Sequence, residues 1–155
     1  MRVAALMLAA TLSIGAASED KGPGGIAILD ASQIKMILHQ CSRSVPLAGE
    51  ASWKPPARDI ARLEAALPAA LDKARTTWAR ELTGAPTGWI RQYVGIVRKG
   101  HRYIYGNFVP DQGFAEERRW RSEPVVICDG GAAFFGVEYD VNAGTFSHLD
   151  FNGGA

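Results

Sequence analysis

The chain has 155 residues, 47% of them hydrophobic and 21% charged, with a formal net charge of +1. That length suits one domain built on one core. The near-neutral balance argues against nucleic acid or an anionic membrane surface as a partner, because both demand a basic excess.

Residues 1–17 have the form of a secretory signal: Arg2 supplies the positive start, Val3 to Ile14 the apolar run and Gly15-Ala16-Ala17 the small residues before a cut. The apolar run is shorter than the ~20 residues a bilayer crossing needs. Export to the periplasm or the medium is therefore expected, with no membrane attachment after cleavage and residues 18–155 forming a single domain. Export also gives Cys41 and Cys128 a meaning. They are the only two cysteines, and an oxidising compartment favours joining them. Closing so long a loop stabilises the fold by ~4–5 kcal/mol in the chain-entropy model.

In chain order, residues 19–29 read as a loose, polar, glycine-rich leader. Asp30 with Gln33 has the form of a capping box, and Ile34, Ile37, Leu38 and Cys41 share one helical stripe, which predicts a short helix over 31–41. Residues 42–56 form a connector broken by Pro46, Gly49, Pro55 and Pro56, with Trp53 as a lid on the sheet or the next helix. Ile60, Leu63, Leu67, Leu71, Ala74, Trp78 and Leu82 recur at spacings of three and four and predict a helix from about 57 to 83. Pro68 inside it predicts a kink or a short break.

The strands follow. Lys99-Gly100 can form a two-residue turn that sets Ile96 opposite Tyr103, Val94 opposite Tyr105 and Gln92 opposite Asn107 on one side. On the other side Tyr93 meets Gly106 and Ile104 meets Gly95, large side chains over bare backbone. Both faces are apolar or aromatic, so this hairpin belongs at the centre of a covered sheet. Val125 to Cys128 reads as a strand turning at Asp129-Gly130-Gly131, with Phe134 returning opposite Ile127 and Phe135 opposite Val126. Asn142-Ala143-Gly144 makes a further turn, and Thr145 to Phe151 a last strand. The architecture expected is α+β: a kinked amphipathic helix packed on an antiparallel sheet of four to five strands, with a short N-terminal helix tied by the disulfide.

Few residues carry recognisable chemistry. His39, His101 and His148 lack partners at metal-ligand spacing, so no metal is assigned. Asp140-Val141-Asn142-Ala143-Gly144 resembles the start of a calcium loop but lacks its closing glutamate, and reads better as a turn. Glu138 and Asp140 share one strand face, as paired carboxylates of a hydrolase would, but a strand's polar edge looks the same. No nucleophile elbow, zinc helix, P-loop or dinucleotide fingerprint occurs, and no cofactor is assigned. Two groups are left. Arg118, Arg119, Trp120 and Arg121 in the irregular stretch 110–122 have the composition of a binding hot spot. The plainer account of them is a solvated loop with its arginines paired to Glu116 and Glu117 and Trp120 tucked inward. Gln92, Tyr93, Tyr105 and Asn107 would line any pocket between helix and sheet.

The strings RQYVGIVRKGHRYIYGNF and PVVICDGGAAFFGVEYD, with CSRS at 41–44 and Trp53-Lys54-Pro55, resemble a group of small exported bacterial proteins. The resemblance implies export and the helix-plus-sheet layout, and it carries no activity and no catalytic residues. In outline the layout is also similar to cystatin-like and NTF2-like domains, an analogy that assigns no function. The leading expectation is a non-enzymatic exported binding protein, an inhibitor or immunity-type partner of another envelope protein. The alternative is a small-molecule binding or hydrolytic domain with its pocket between helix and sheet. A purely structural envelope protein is the third reading.

Overall fold

The structure, a computed structural model, describes residues 25–74, 88–111 and 117–154. The signal segment, the predicted end of the long helix with Trp78 and Leu82, and residues 112–116 lie outside the described residues. Six strands form one mixed sheet: β1 (Gly25–Ile28), β2 (Ala51–Trp53), β3 (Trp89–Arg98), β4 (His101–Pro110), β5 (Phe135–Asp140) and β6 (Thr145–Phe151). Their order is β1-β3-β4-β5-β6, and β2 shares the outer edge of β3 with β1. Among the described residues two α-helices accompany them, the one-turn α1 (Ile34–Ile37) and α2 (Ala57–Ala74).

The central hairpin forms in the register its sequence dictates, with Gln92 opposite Asn107, Tyr93 opposite Gly106 and Gly95 opposite Ile104. Lys99 and Gly100 both take positive φ (49° and 76°), the geometry of a mirror-image turn that follows the sheet's twist. The alternation of side chains then sorts the core into two layers. On one face α2 lays Ile60, Leu63, Leu67 and Leu71 over Tyr93, Ile104, Phe108, Phe135, Val137 and Tyr139. Phe108 and Phe135 stack there with centroids 4.6 Å apart. The opposite face carries Ile90, Val94, Ile96, Tyr105 and Val109, under Ile37, Leu38, Trp120 and Phe134. Among the described residues, irregular chain and not a second long helix covers this face.

The long helix runs unbroken through Pro68, so of the kink or break expected there, the break does not occur. Pro68 has no amide hydrogen to offer the carbonyl of Glu64. The Glu64 side chain points to the sheet, where its carboxylate accepts from the Tyr93 hydroxyl (2.7 Å) and from Arg91 (3.2 Å). Burial, with the Glu64 charge beside it, pushes the Tyr93 hydroxyl well above its ordinary value, so it remains a donor.

Five expectations are corrected. Residues 25–28 of the supposedly loose leader form β1, parallel to β3, with Gly25 opposite Ile90 and Ile28 opposite Tyr93. The helix predicted over 31–41 is a 3-10 turn at Ala31–Gln33 followed by the single turn of α1, and Cys41 lies beyond it, exposed. The connector 42–56 contains β2, whose Trp53 rests against Gly95 of β3. A Cβ on Gly95 would lie 2.2 Å from the Trp53 carbonyl oxygen, so only glycine allows this approach. The run Val125 to Cys128 is not a strand. Phe135 instead pairs with Phe108 of β4 and Phe151 of β6. Among the described residues the sheet thus has six strands and one parallel pair, where four or five antiparallel strands were expected. Thr145–Phe151 forms as predicted.

Candidate functional site

Cys41 and Cys128 are bonded, with their Cα atoms 5.4 Å apart. The bridge joins two irregular segments, 38–50 and 117–134, that together roof the sheet face opposite α2. Both cysteines are exposed. Between these segments and the sheet, buried polar side chains lie among the apolar ones.

Gln92 and Asn107, facing each other across the central hairpin, are fully buried, and their amides hold the second segment in place. The Gln92 amide nitrogen donates to the backbone oxygens of Trp120 (2.6 Å) and Glu123 (2.7 Å), and its oxygen accepts from the Val125 amide (2.8 Å). Asn107 donates to Gln92 (3.0 Å) and to the Val125 oxygen (2.9 Å). Further along, Asn152 donates to the Ile127 oxygen (2.6 Å), and the Ser42 hydroxyl accepts from the Asp129 amide (3.2 Å). The apolar run 125–127 therefore meets side-chain amides where a strand would meet a neighbouring strand.

Arg43 holds the first segment. It is only 9% exposed, and it donates to Asn152 (2.7 Å), Asn107 (2.5 Å) and the Tyr105 hydroxyl (3.3 Å). Its partners are two amide oxygens and a phenol, so among the described residues no carboxylate makes hydrogen-bond contact with the guanidinium. Gly136 makes room for it: a Cβ there would meet the Tyr105 hydroxyl at close range and Arg43 Nε at 3.0 Å. Burial raises the Tyr105 hydroxyl above its ordinary value, against the opposing pull of Arg43. Losing Arg43 would strand the Asn107 and Asn152 oxygens, each unmet buried acceptor costing ~1–3 kcal/mol.

A second buried group lies next to the first on the same face, where Glu138 is paired across from Tyr105. Glu138, 2% exposed, receives both terminal nitrogens of Arg98 and the Ser147 hydroxyl (2.7 Å). Beside it, the amide and hydroxyl of Ser44 donate to Asp150 (2.8 and 2.6 Å), and His148 Nε2 lies 3.0 Å from the Ser44 carbonyl oxygen. Serine, histidine and aspartate thus meet, but not as a nucleophilic triad. The serine hydroxyl faces the carboxylate directly, and the histidine nitrogen faces a backbone oxygen rather than the hydroxyl it would have to deprotonate.

The structure separates the four residues proposed to line a pocket between helix and sheet. Tyr93 lies under α2, while Gln92, Tyr105 and Asn107 lie on the opposite face. Each is packed among protein atoms and engaged in the contacts above. The four residues of the proposed binding loop divide in another way. Trp120 is buried against Gly25 of β1, and its indole N–H finds no acceptor among the described residues. Arg118, Arg119 and Arg121 are exposed. Arg119 pairs with Glu123 (2.8 Å), not with Glu117, and Arg121 lies over the Trp120 ring, 4.7 Å from its centroid. Arg118 holds a left-handed φ of 50°. Next to them a groove of about 260 Å³ is lined by Glu117, Arg119, Pro124 and Val126 among others.

Of the remaining chemical candidates, Asp140 accepts from the amides of Asn142 and Ala143 (2.9 Å each), which makes the calcium-like string a capped turn. Glu138 is engaged by Arg98, so the two carboxylates have unlike surroundings. Among the described residues no three His, Cys, Asp or Glu side chains converge as a metal site would require, and no helix is long and apolar enough to cross a membrane. Sequence reasoning missed Arg43, Ser44, Arg98 and Asp150. The one available pointer was the bridge itself, which brings the neighbours of Cys41 against those of Cys128. No family model, no curated protein and no solved structure matches the chain.

Proposed function

We propose that the chain is an exported, non-enzymatic binding protein that recognises another exported protein, as an inhibitor or an immunity-type partner, through segment 117–127. The observation that carries this reading is the way Gln92 and Asn107 hold that segment. It has almost no regular structure, yet buried amides grip it at residues 120, 123 and 125, and the disulfide ends it at 128. A loop ordered beforehand loses little conformational freedom on binding, which is the general route from scaffold to affinity. Its inward side chains, Trp120, Val125 and Ile127, belong to the core, and its outward ones are free to face a partner. Arg118 adds a second support. A left-handed backbone costs a non-glycine residue ~1 kcal/mol, and side chains kept in such a state cluster at functional sites. The exposed disulfide agrees with an oxidising compartment. The alternative of a pocket between α2 and the sheet has less in its favour, because Leu63, Leu67, Tyr93, Phe108, Phe135 and Val137 fill that layer.

Pull-down from envelope extract tests the reading, with the oxidised chain as bait beside Arg118→Ala/Arg121→Ala and Arg118→Gly. Both variants should keep the fold, and Arg118→Gly should hold or raise its stability by up to about 1 kcal/mol as the strain is relieved. Both should lose the captured partner. Recovery unchanged from the unmodified chain would remove segment 117–127 from the function.

A further inference from the structure

Arg43 lies in an unfavourable place. It is buried, its partners Asn107, Asn152 and Tyr105 are neutral, and its Nε finds no acceptor among the described residues. A guanidinium taken out of water with no carboxylate in contact loses more hydration than neutral acceptors return. The chain around it supplies what keeps it from turning outward.

Cys41 stands two residues before Arg43, and Ile127 stands directly before Cys128. Arg43 donates to the Asn152 oxygen, and the Asn152 nitrogen donates to the Ile127 carbonyl oxygen. The path from Arg43 through Asn152 to Ile127 therefore closes into a ring through Cys128, the disulfide and Cys41. Ser42 ties the same ring again, accepting from the Asp129 amide at its hydroxyl and from the Gly153 amide at its carbonyl. Arg43 also meets the Asn107 oxygen, and the nitrogen of that amide holds Gln92 and the Val125 carbonyl. The seat of segment 117–127 is thus continuous with the seat of Arg43. Of the cross-links in the ring only the disulfide is covalent, and it is the one on the outside. Both cysteines are exposed, and the chain beside them, Gly130-Gly131 against Gly153-Gly154, carries no side chains.

We infer that the Cys41–Cys128 bond is a redox latch, opened by an exported dithiol, that keeps Arg43 buried and segment 117–127 seated. One thiolate of the dithiol attacks an exposed sulfur, and the other cysteine leaves as a thiolate. The second thiol of the reagent then displaces the first from the mixed disulfide. The bridge gains two electrons and two protons, and the reagent departs as its own disulfide. With the ring open, Arg43 turns into water, and the Asn107 and Asn152 oxygens take water in its stead as the roof loosens. This rests on the reading of segment 117–127 as the contact surface and adds the condition under which that surface is presented.

The test reads Arg43 directly. Phenylglyoxal, which labels accessible arginines, is applied to the oxidised chain, to the chain reduced with dithiothreitol and capped with iodoacetamide, and to Cys41→Ser/Cys128→Ser. Mass spectrometry then compares Arg43 with the exposed Arg118. The ratio should rise about tenfold or more in both opened forms. It should fall back when uncapped reduced chain is reoxidised with glutathione disulfide. The rate of reduction should grow in proportion to dithiothreitol, as attack on a folded chain requires. Both opened forms should keep a cooperative melt, and the serine pair should lose the partner that the oxidised chain captures from envelope extract. Arg43 unlabelled in both opened forms, a reduction rate that levels off at the unfolding rate, or unfolding of both forms would each overturn the inference. So would capture by the serine pair equal to that of the oxidised chain while Arg118→Ala/Arg121→Ala loses the partner. If Arg118→Ala/Arg121→Ala keeps the partner, the reading of segment 117–127 falls, and the latch stands or falls by the labelling of Arg43.

Discussion

At the scale of single residues, polar groups on the roofed face have tightly drawn roles. Arg43, Gln92, Asn107 and Asn152 close one network, and Arg98, Glu138 and Ser147 another. Asp150 sits at their margin. Burial alone would push its carboxyl up, but the Ser44 hydroxyl and amide, the Phe151 amide and the nearby His148 together hold it below the ordinary carboxylate value. A folded-state pKa below the unfolded one means that the unfolded chain binds more protons in acid. The contribution is then fully present above the unfolded value of ~3.9 and is lost as pH falls from there through the folded value. Asp150→Asn should therefore flatten the acid limb of stability below about pH 5 and leave the profile above pH 6 parallel to that of the unmodified chain. Thermal melts from pH 7 to pH 2 check this, and an unchanged acid limb would show that Ser44 does not depend on the charge. The face positions of Gln92 and Asn107 were legible in the sequence, because turn chemistry and alternation are local. What they bind was not, since the backbone of 120–125 arrives from a separate part of the chain.

At the scale of elements, α2 and the β3–β4 hairpin form where their patterns place them, and the failures share one cause. Val125-Val126-Ile127 has the composition of a strand, but its backbone groups are met by Gln92 and Asn107, so no ladder is needed. Residues 25–28 and 51–53 have no strand signature to speak of. They become β1 and β2 because the outer edge of β3 offers unpaired amides and carbonyls, which buried backbone must satisfy. Gln92→Met, close in size but unable to hydrogen-bond, tests the grip on the loop. It leaves the Trp120 and Glu123 carbonyls and the Val125 amide without their partner, at ~1–3 kcal/mol for each group that stays buried. The cheaper response is for 117–127 to lift away. The expected result is new proteolytic cleavage within 117–127 under conditions where the sheet still resists. Uniform loss of protection across the chain would place the amide in the global fold and not in the loop.

At the scale of the molecule, one covalent bond bears on everything above the sheet. It closes 87 positions, which the chain-entropy account values at ~4–5 kcal/mol. Its sulfurs belong to exposed residues, so reduction does not have to wait for unfolding. Thiol titration of the folded chain should find none free as isolated from an oxidising compartment, and two after mild reductant. The reduced chain, and Cys41→Ser/Cys128→Ser, should lose about 4 kcal/mol in denaturant unfolding. The roof over Arg43 and segment 117–127 should exchange amide hydrogens faster than the α2 side of the sheet. Equal acceleration on both faces would show that the bridge braces the whole sheet.

Sequence by itself determined the amphipathic stripe of the long helix, the register of the central hairpin, the last strand and the pairing of the two cysteines. Each depends on neighbours along the chain or, for the cysteines, on there being no other choice. Only the tertiary structure decided that, among the described residues, irregular chain held by Arg43, Gln92, Asn107 and Asn152 covers the far face. It alone turned two short unremarkable stretches into edge strands. Those outcomes depend on which unsatisfied donors and acceptors meet across tens of residues, and no local pattern encodes that meeting.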